Sequence, residues 1–322
     1  MRRVRNKILR VQRRKRYENE CRTTPSPSIS PQLSSNPLSV DNAGECLSML
    51  CKTGDGLAHA YANLDIKDRQ LTDVSVLSTF IHVRYLDLSG NFLTDISAVG
   101  ALTNLLTIKA DRNRLTSAHF QELPYLQSAS FSSNSITSTQ GISHPMLGTL
   151  NLSGNKITQL EGLNQQNLPS LQFLDLHDNQ LPSSAGIHLP SLEKLYLASN
   201  KLTRVEGLEG LCKMTTLHLR QNQIATLDGF APTMESLQYI NLRGNAVAEL
   251  PEIKKLATLP FLRALVLTEC PVCEVDDYRI EVLITLRKLE RLDKDEFTED
   301  ERTDAEEVYN QRNPDTAAET ES

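Results

Sequence analysis

The sequence predicts an α/β solenoid: a curved right-handed coil with a parallel β-sheet on its concave side, about ten repeats and a helical cap at each end. Three features carry this expectation. One short phrase, L-x-L-x-x-N-x-[LI], recurs as LDLSGNFL from Leu86, LNLSGNKI from Leu150, LDLHDNQL from Leu174, LYLASNKL from Leu195, LHLRQNQI from Leu217 and INLRGNAV from Ile240. Its first apolar position falls at Leu64, Leu86, Ile108, Ala129, Leu150, Leu174, Leu195, Leu217, Ile240 and Leu265, in steps of 21 to 25 residues. An Asn keeps the same offset in most units, at Asn91, Asn113, Asn134, Asn155, Asn179, Asn200, Asn222 and Asn245.

The physics of the phrase identifies a leucine-rich repeat. L-x-L has period two, so both leucines face one side of a short strand. The next x-x-N turns the chain, and the following Leu or Ile re-enters the core. The Asn amide can bond backbone groups of neighbouring turns, which would otherwise cost roughly 1–3 kcal/mol each when buried. One coil cannot bury both ends of its leucine cluster, so stability belongs to the stacked array.

From the N-terminus, residues 1–41 read as a disordered leader. Residues 1–22 hold ten basic and two acidic residues, a net of +8, which leaves −14 for the rest of a chain whose total is −6. Readings of the basic run include a solvated tail, attraction to tubulin or another acidic partner through Arg2–Arg22, a nuclear signal around Arg13–Arg16, and a mitochondrial presequence that Glu18 and Glu20 would end early. Residues 23–40 are rich in Pro and Ser. Thr24, Ser26 and Ser30 each precede Pro and are candidate phosphorylation positions.

Residues 42–63 read as an N-terminal helical cap. Asn42 and Glu45 have capping-box spacing, Leu47, Leu50 and Cys51 follow at helical spacing, and Gly54 would end the helix. The repeats occupy 64–269, with return segments LEGL (160–163), VEGL (205–208) and LDGF (227–230) suited to a helical or 3₁₀ outer side. Arg69 and Cys270 replace the Asn in the terminal units. Residues 270–312 form a C-terminal cap. In it Tyr278, Val282, Leu283, Leu286 and Leu289 mark one helix, and Thr298 with Glu301 opens a polar second one. Residues 313–322 read as a disordered tail.

The chemistry of catalysis is missing from this pattern. There is no phosphate loop, nucleophile elbow or H-E-x-x-H. Cys270-Pro-Val-Cys273 has metal-ligand spacing, but Cys46 and Cys51 stand at the opposite end, roughly 40 Å away for strands about 4.8 Å apart. The six cysteines therefore read as reduced structural thiols inside the cell. No apolar run of about 18 residues is present and no secretory segment follows the start, so neither a membrane nor secretion is expected. Neither an enzyme, a cofactor, a metal nor a small-molecule substrate is expected, and nucleic acid is disfavoured.

What remains is a surface. The outward strand positions are small and polar through Ser128, Ser130, Ser132, Thr149, Asn151 and Ser153. They then change to Phe173, Asp175, His177, Lys194, Tyr196, His218, Arg220, Tyr239, Asn241 and Arg243. Aromatics and Arg favour interfaces. The candidate partner-binding strip is thus Phe173, His177, Lys194, Tyr196, His218, Arg220, Tyr239 and Arg243.

The E-G-L returns resemble the intracellular leucine-rich-repeat class that includes a phosphatase regulator and a spliceosomal subunit. SMLCKTGDGLAHAY (48–61), GISHPMLGTLNLSGN (141–155), SLQYINLRGNAVAEL (236–250), LPFLRALVL (259–267) and YRIEVLITLRKLERLDKDEFTEDERTDAEEV (278–308) narrow it. They are similar to the radial-spoke leucine-rich-repeat family of motile cilia and flagella, over about residues 42–312. The resemblance implies a non-catalytic scaffold at a radial-spoke head, located in the cytoplasm, cytoskeleton and axoneme, needed for beating and contacting other radial-spoke proteins. Alternatives are a phosphatase-regulating subunit and a nuclear RNA-associated subunit using the same face. The family's leader is typically acidic, so nothing carries over to residues 1–41. Cys270 stands where the family usually keeps the Asn of an N-P turn, which implies a less firmly bonded last turn.

Overall fold

The first leucine of each L-x-L lies buried at the centre of a three-residue strand, as Leu86 does in Tyr85–Asp87 and Leu174 in Phe173–Asp175. These strands stack in one direction because every turn brings the chain back to the same offset. The computed structural model describes residues 34–53 and 56–313. The basic run, the Ser/Thr-Pro positions and the C-terminal tail from 314 lie outside the described residues.

The sheet has thirteen strands in sequence order. They are β1 (Leu47–Lys52), β2 (His59–Asp65), β3 (Tyr85–Asp87), β4 (Thr107–Lys109), β5 (Ser128–Ser130), β6 (Thr149–Asn151), β7 (Phe173–Asp175), β8 (Lys194–Tyr196), β9 (Thr216–His218), β10 (Tyr239–Asn241), β11 (Ala264–Val266), β12 (Arg291–Leu292) and β13 (Asp295–Glu296). From β2 to β12 all pairs are parallel and in one register, Leu64 beside Leu86 beside Ile108 and onward to Leu265 beside Leu292. All ten apolar positions read from the sequence are central or penultimate strand residues with at most 2% exposure, so one uninterrupted core runs under the sheet.

The eight Asn side chains form a ladder beneath that core. Asn155 is representative: Nδ2 donates to the carbonyls of Phe131 and Leu152 at 2.9 Å, and Oδ1 accepts from the Ile136 amide at 3.0 Å. Every Asn is buried, and each joins its own turn to the preceding one. The residue before it is left-handed in every turn, whether glycine (Gly90, Gly154, Gly244) or not (Arg112, Ser133, Asp178, Ser199, Gln221). A second, hydroxyl ladder fastens the outer side. Thr139 Oγ1 accepts from the Glu161 amide and donates to its carbonyl, both at 2.8 Å. Ser184 does the same for Glu206 at 3.0 and 2.7 Å.

The ends differ from expectation. The N-terminal cap is a β-hairpin, not a helix. Ser39 caps a single turn, α1 (Val40–Gly44), by accepting from the Asn42 amide, and Leu47–Lys52 then pairs antiparallel with β2. The apolar spacing of Leu47, Leu50 and Cys51 suited a helix. However, the edge of β2 presents backbone groups that only a strand can pair. The leader also enters the fold sooner than expected. Asn36 Nδ2 donates to the carbonyls of Arg69 (3.1 Å) and Gln70 (3.2 Å), and Leu38 is buried. Asn36 thereby serves the first turn, where Arg69 replaces the ladder Asn.

At the other end, Cys270 does not leave its turn loose. Its Sγ donates to the Leu242 carbonyl at 3.2 Å and Cys273 Sγ donates to the Leu267 carbonyl at 2.9 Å. Two thiols thus serve the two carbonyls that one Asn amide would serve. The first capping helix runs only from Tyr278 to Thr285 (α3), because the chain turns at Leu286 and enters β12, an eleventh parallel strand. The longer return between β10 and β11 holds α2 (Leu250–Lys254), and α4 (Glu299–Arg312) follows β13, opened by a reciprocal Thr298–Glu301 capping box. The 3₁₀ returns occur at Ser75–Thr79, Ser97–Ala101 and Lys255–Thr258, whereas the LEGL and VEGL segments are bends and LDGF a turn.

Candidate functional site

The pleat fixes which side chains reach the open sheet face. Residues flanking and between the leucines must point away from the core, and parallel pairing places equivalent positions about 4.8 Å apart. Through β5 and β6 these positions are Ser128, Ser130, Ser132, Thr149, Asn151 and Ser153, giving a low polar stretch. Beginning at β7, bulk replaces it.

Four rings form a continuous row across β7 to β10. Phe173 and Tyr196 have centroids 5.1 Å apart with planes tilted by 44°. Tyr196 and His218 stack nearly parallel, at 4.3 Å and 12°. His218 and Tyr239 are 5.1 Å apart and tilted by 45°. The centre of the row is face to face, so Tyr196 and His218 cover each other's rings. Burial lowers the His218 pKa below its ordinary value, partly opposed by Asp175. Burial raises the Tyr239 hydroxyl, against a contact with Asn241 Nδ2 at 3.3 Å.

The remaining strip residues surround the row without joining it. His177 is exposed, and its Nδ1 lies 2.9 Å from Asp175 Oδ1 on its own strand. Arg243 Nη2 donates to Glu269 Oε1 at 2.6 Å, which raises the Arg243 pKa. Arg220 Nη2 reaches Gln221 Oε1 at 3.2 Å, and Lys194 is exposed. Glu269 was missed as a member of the strip because it sits in the Asn-less last turn. Asn241 reads from sequence as one more outward polar residue, yet it supports the Tyr239 tip.

Other chemistry-bearing residues do not assemble into a site. Among the described residues no group of three or more His, Cys, Asp or Glu could hold a metal ion, and no helix is long and apolar enough to cross a membrane. Burial raises the thiols of Cys270 and Cys273, the latter to about 11, so both are protonated and inert. His144, buried beside Phe120, accepts from the Leu123 amide through Nδ1 at 3.1 Å. It is a turn fastener of a kind no repeat phrase announces.

A leucine-rich-repeat family model matches residues 184–320. The chain is similar in fold to a domain of InlJ from Listeria monocytogenes, with a TM-score of 0.51 at 20% identity over 76% of this chain and 56% of that one. It is also similar to the leucine-rich-repeat domain of APL1B, with a TM-score of 0.55 at 21% identity over 65% and 61%. Those likenesses concern the coil alone. In sequence it is 55% identical to leucine-rich repeat-containing protein 23 of Bos taurus over 85% of this chain and 80% of that protein. It is 54% identical to the Homo sapiens protein of that name over 86% and 80%, and 55% identical to the Xenopus tropicalis one over 86% and 79%. A repeat array of this kind, with an exposed ordered face, is a protein-interaction scaffold. With identity of that order along most of both chains, this one belongs to the leucine-rich repeat-containing protein 23 family.

Proposed function

We propose that the chain is a non-catalytic scaffold of the ciliary or flagellar axoneme. It would act as a radial-spoke head component that holds other spoke proteins and is needed for motility. The single observation that carries the docking part is the ring row Phe173–Tyr196–His218–Tyr239, which begins where the small polar positions of β5 and β6 end. Large rigid side chains are the kind that dominate interface energies, and these are already ordered before binding, which lowers the entropy cost. The axonemal part rests on family membership and on the radial-spoke resemblance. The basic segment Arg2–Arg22 would add attraction to acidic tubulin tails.

The test is a tagged chain expressed in flagellated cells, intact and with Tyr196, His218 and Tyr239 all changed to Ala. We expect the intact chain along the flagellum, resistant to detergent extraction with the axoneme, and the triple variant folded but released. Retention of the triple variant would remove the strip from the account. Co-purification with a soluble phosphatase, or a nuclear signal, would replace the axonemal reading with the regulatory or RNA-associated one.

A further inference from the structure

The ring row has a chemical bias that goes beyond its being a docking strip, and the inference rests on that reading. Because Tyr196 and His218 are stacked face to face, no open ring surface remains at the centre for a nucleobase or a proline to lie upon. Among the described residues no hydrogen bond engages Tyr196 Oη or the His218 ring nitrogens. The outward positions of β8, β9 and β10 also hold three cations, Lys194, Arg220 and Arg243, and no carboxylate. The acids stand on the flanking strands, where Asp175 is engaged by His177 and Glu269 by Arg243, leaving Asp178 at the β7 rim. No described carboxylate lies within 4.0 Å of Lys194 or Arg220.

We propose that this strip takes an extended acidic peptide segment of its partner. The segment lies across the strands along the axis of the coil. Its carboxylates meet Lys194 and Arg220, and its backbone carbonyls accept from the tyrosine and imidazole tips. The register sets Lys194 beside Thr216, so Lys194 and Arg220 flank the Tyr196–His218 pair on opposite sides, and neighbouring acids of an extended segment, which point to opposite sides, reach one each.

The test is fluorescence anisotropy of the full chain with a labelled peptide of about twelve residues repeating Glu-Glu-Ala. The controls are its Gln-Gln-Ala analogue and a labelled oligothymidylate of equal charge. Saturable binding of the Glu peptide is expected. It should weaken by about ten-fold or more for the Gln peptide and for the folded Lys194→Glu/Arg220→Glu variant, and weaken further with salt. Absence of saturable binding, equal binding of the Gln peptide, or indifference to the charge reversal overturns the proposal. So does an oligothymidylate that binds as well as the peptide, since it would mark a general anion patch. The two readings fail separately. If the triple alanine variant loses axonemal retention while the charge-reversed chain keeps it, the strip stands and the acidic segment falls.

Discussion

A single Asn amide in this coil satisfies backbone groups of two turns at once. Replacing Asn155 by Ala leaves the Ile136 amide buried without a partner and takes one of two donors from the Phe131 and Leu152 carbonyls, which keep Asn134 and Asn179. The loss expected is about 1–3 kcal/mol, read as a lower urea midpoint, with Asn155→Asp recovering only the acceptor half. His144 makes a pH-dependent contribution of opposite character, because it is held neutral. Burial lowers its pKa from 6.5 to about 4, so the unfolded state binds the extra proton between those values. Its contribution is complete above pH 6.5 and disappears as pH falls toward 4, amounting to about 3 kcal/mol over the full range. Thermal melts between pH 7 and 4.5 should show that slope in the native chain and a flatter one in His144→Gln. At this scale the sequence spoke unevenly. The ladder Asn residues were legible because one offset repeats. His144 was not, because a lone histidine carries no periodic mark. The stacking of Tyr196 on His218 was half legible: the register places them on neighbouring strands, but side-chain rotation decides whether they offer faces or edges.

Among the elements, the outer bends are the least forgiving. A Cβ built on Gly229 would stand 1.8 Å from the Val205 carbonyl oxygen, which belongs to the preceding turn. Gly229→Ala must therefore push two turns apart, and we expect a loss of at least about 2 kcal/mol with a drop in melting temperature. Gly210→Ala, with open space around its Cβ, should be nearly silent. The two terminal elements explain where sequence reading failed. Leu47–Lys52 carries apolar spacing compatible with a helix, yet the unpaired edge of β2 recruits it as a strand. Arg291–Leu292 lacks a second leucine two residues on, so the eleventh strand left no phrase to find, although Leu292 fills the same core position as Leu265. In both cases a tertiary need, closing a sheet edge, overrode a local pattern.

For the whole molecule, stability is shared along one core, so the ends matter as much as the middle. Ending the chain after Thr268 would strip Val272, Val282, Leu283, Leu286, Leu289 and Leu292 from their packing and expose the edge of β11. Such a chain should aggregate on gel filtration where the full one does not. The middle is more permissive. Removing residues 129–149 excises one 21-residue period from Ala129 to Leu150 and leaves every Asn-ladder group a counterpart, while the Glu161 backbone loses Thr139 and the Leu123 amide loses His144. The product should fold, with a modestly lower melting temperature.

The common register of β2 through β12 also makes the coil a ruler. Each whole turn advances whatever stands beyond it by one fixed increment of about 4.8 Å without rotating it to the other side. Lengthening or shortening the serine-rich rows would therefore slide the aromatic end relative to the hairpin end in discrete clicks. The separation between anything gripped at the two ends is an integer property of the gene.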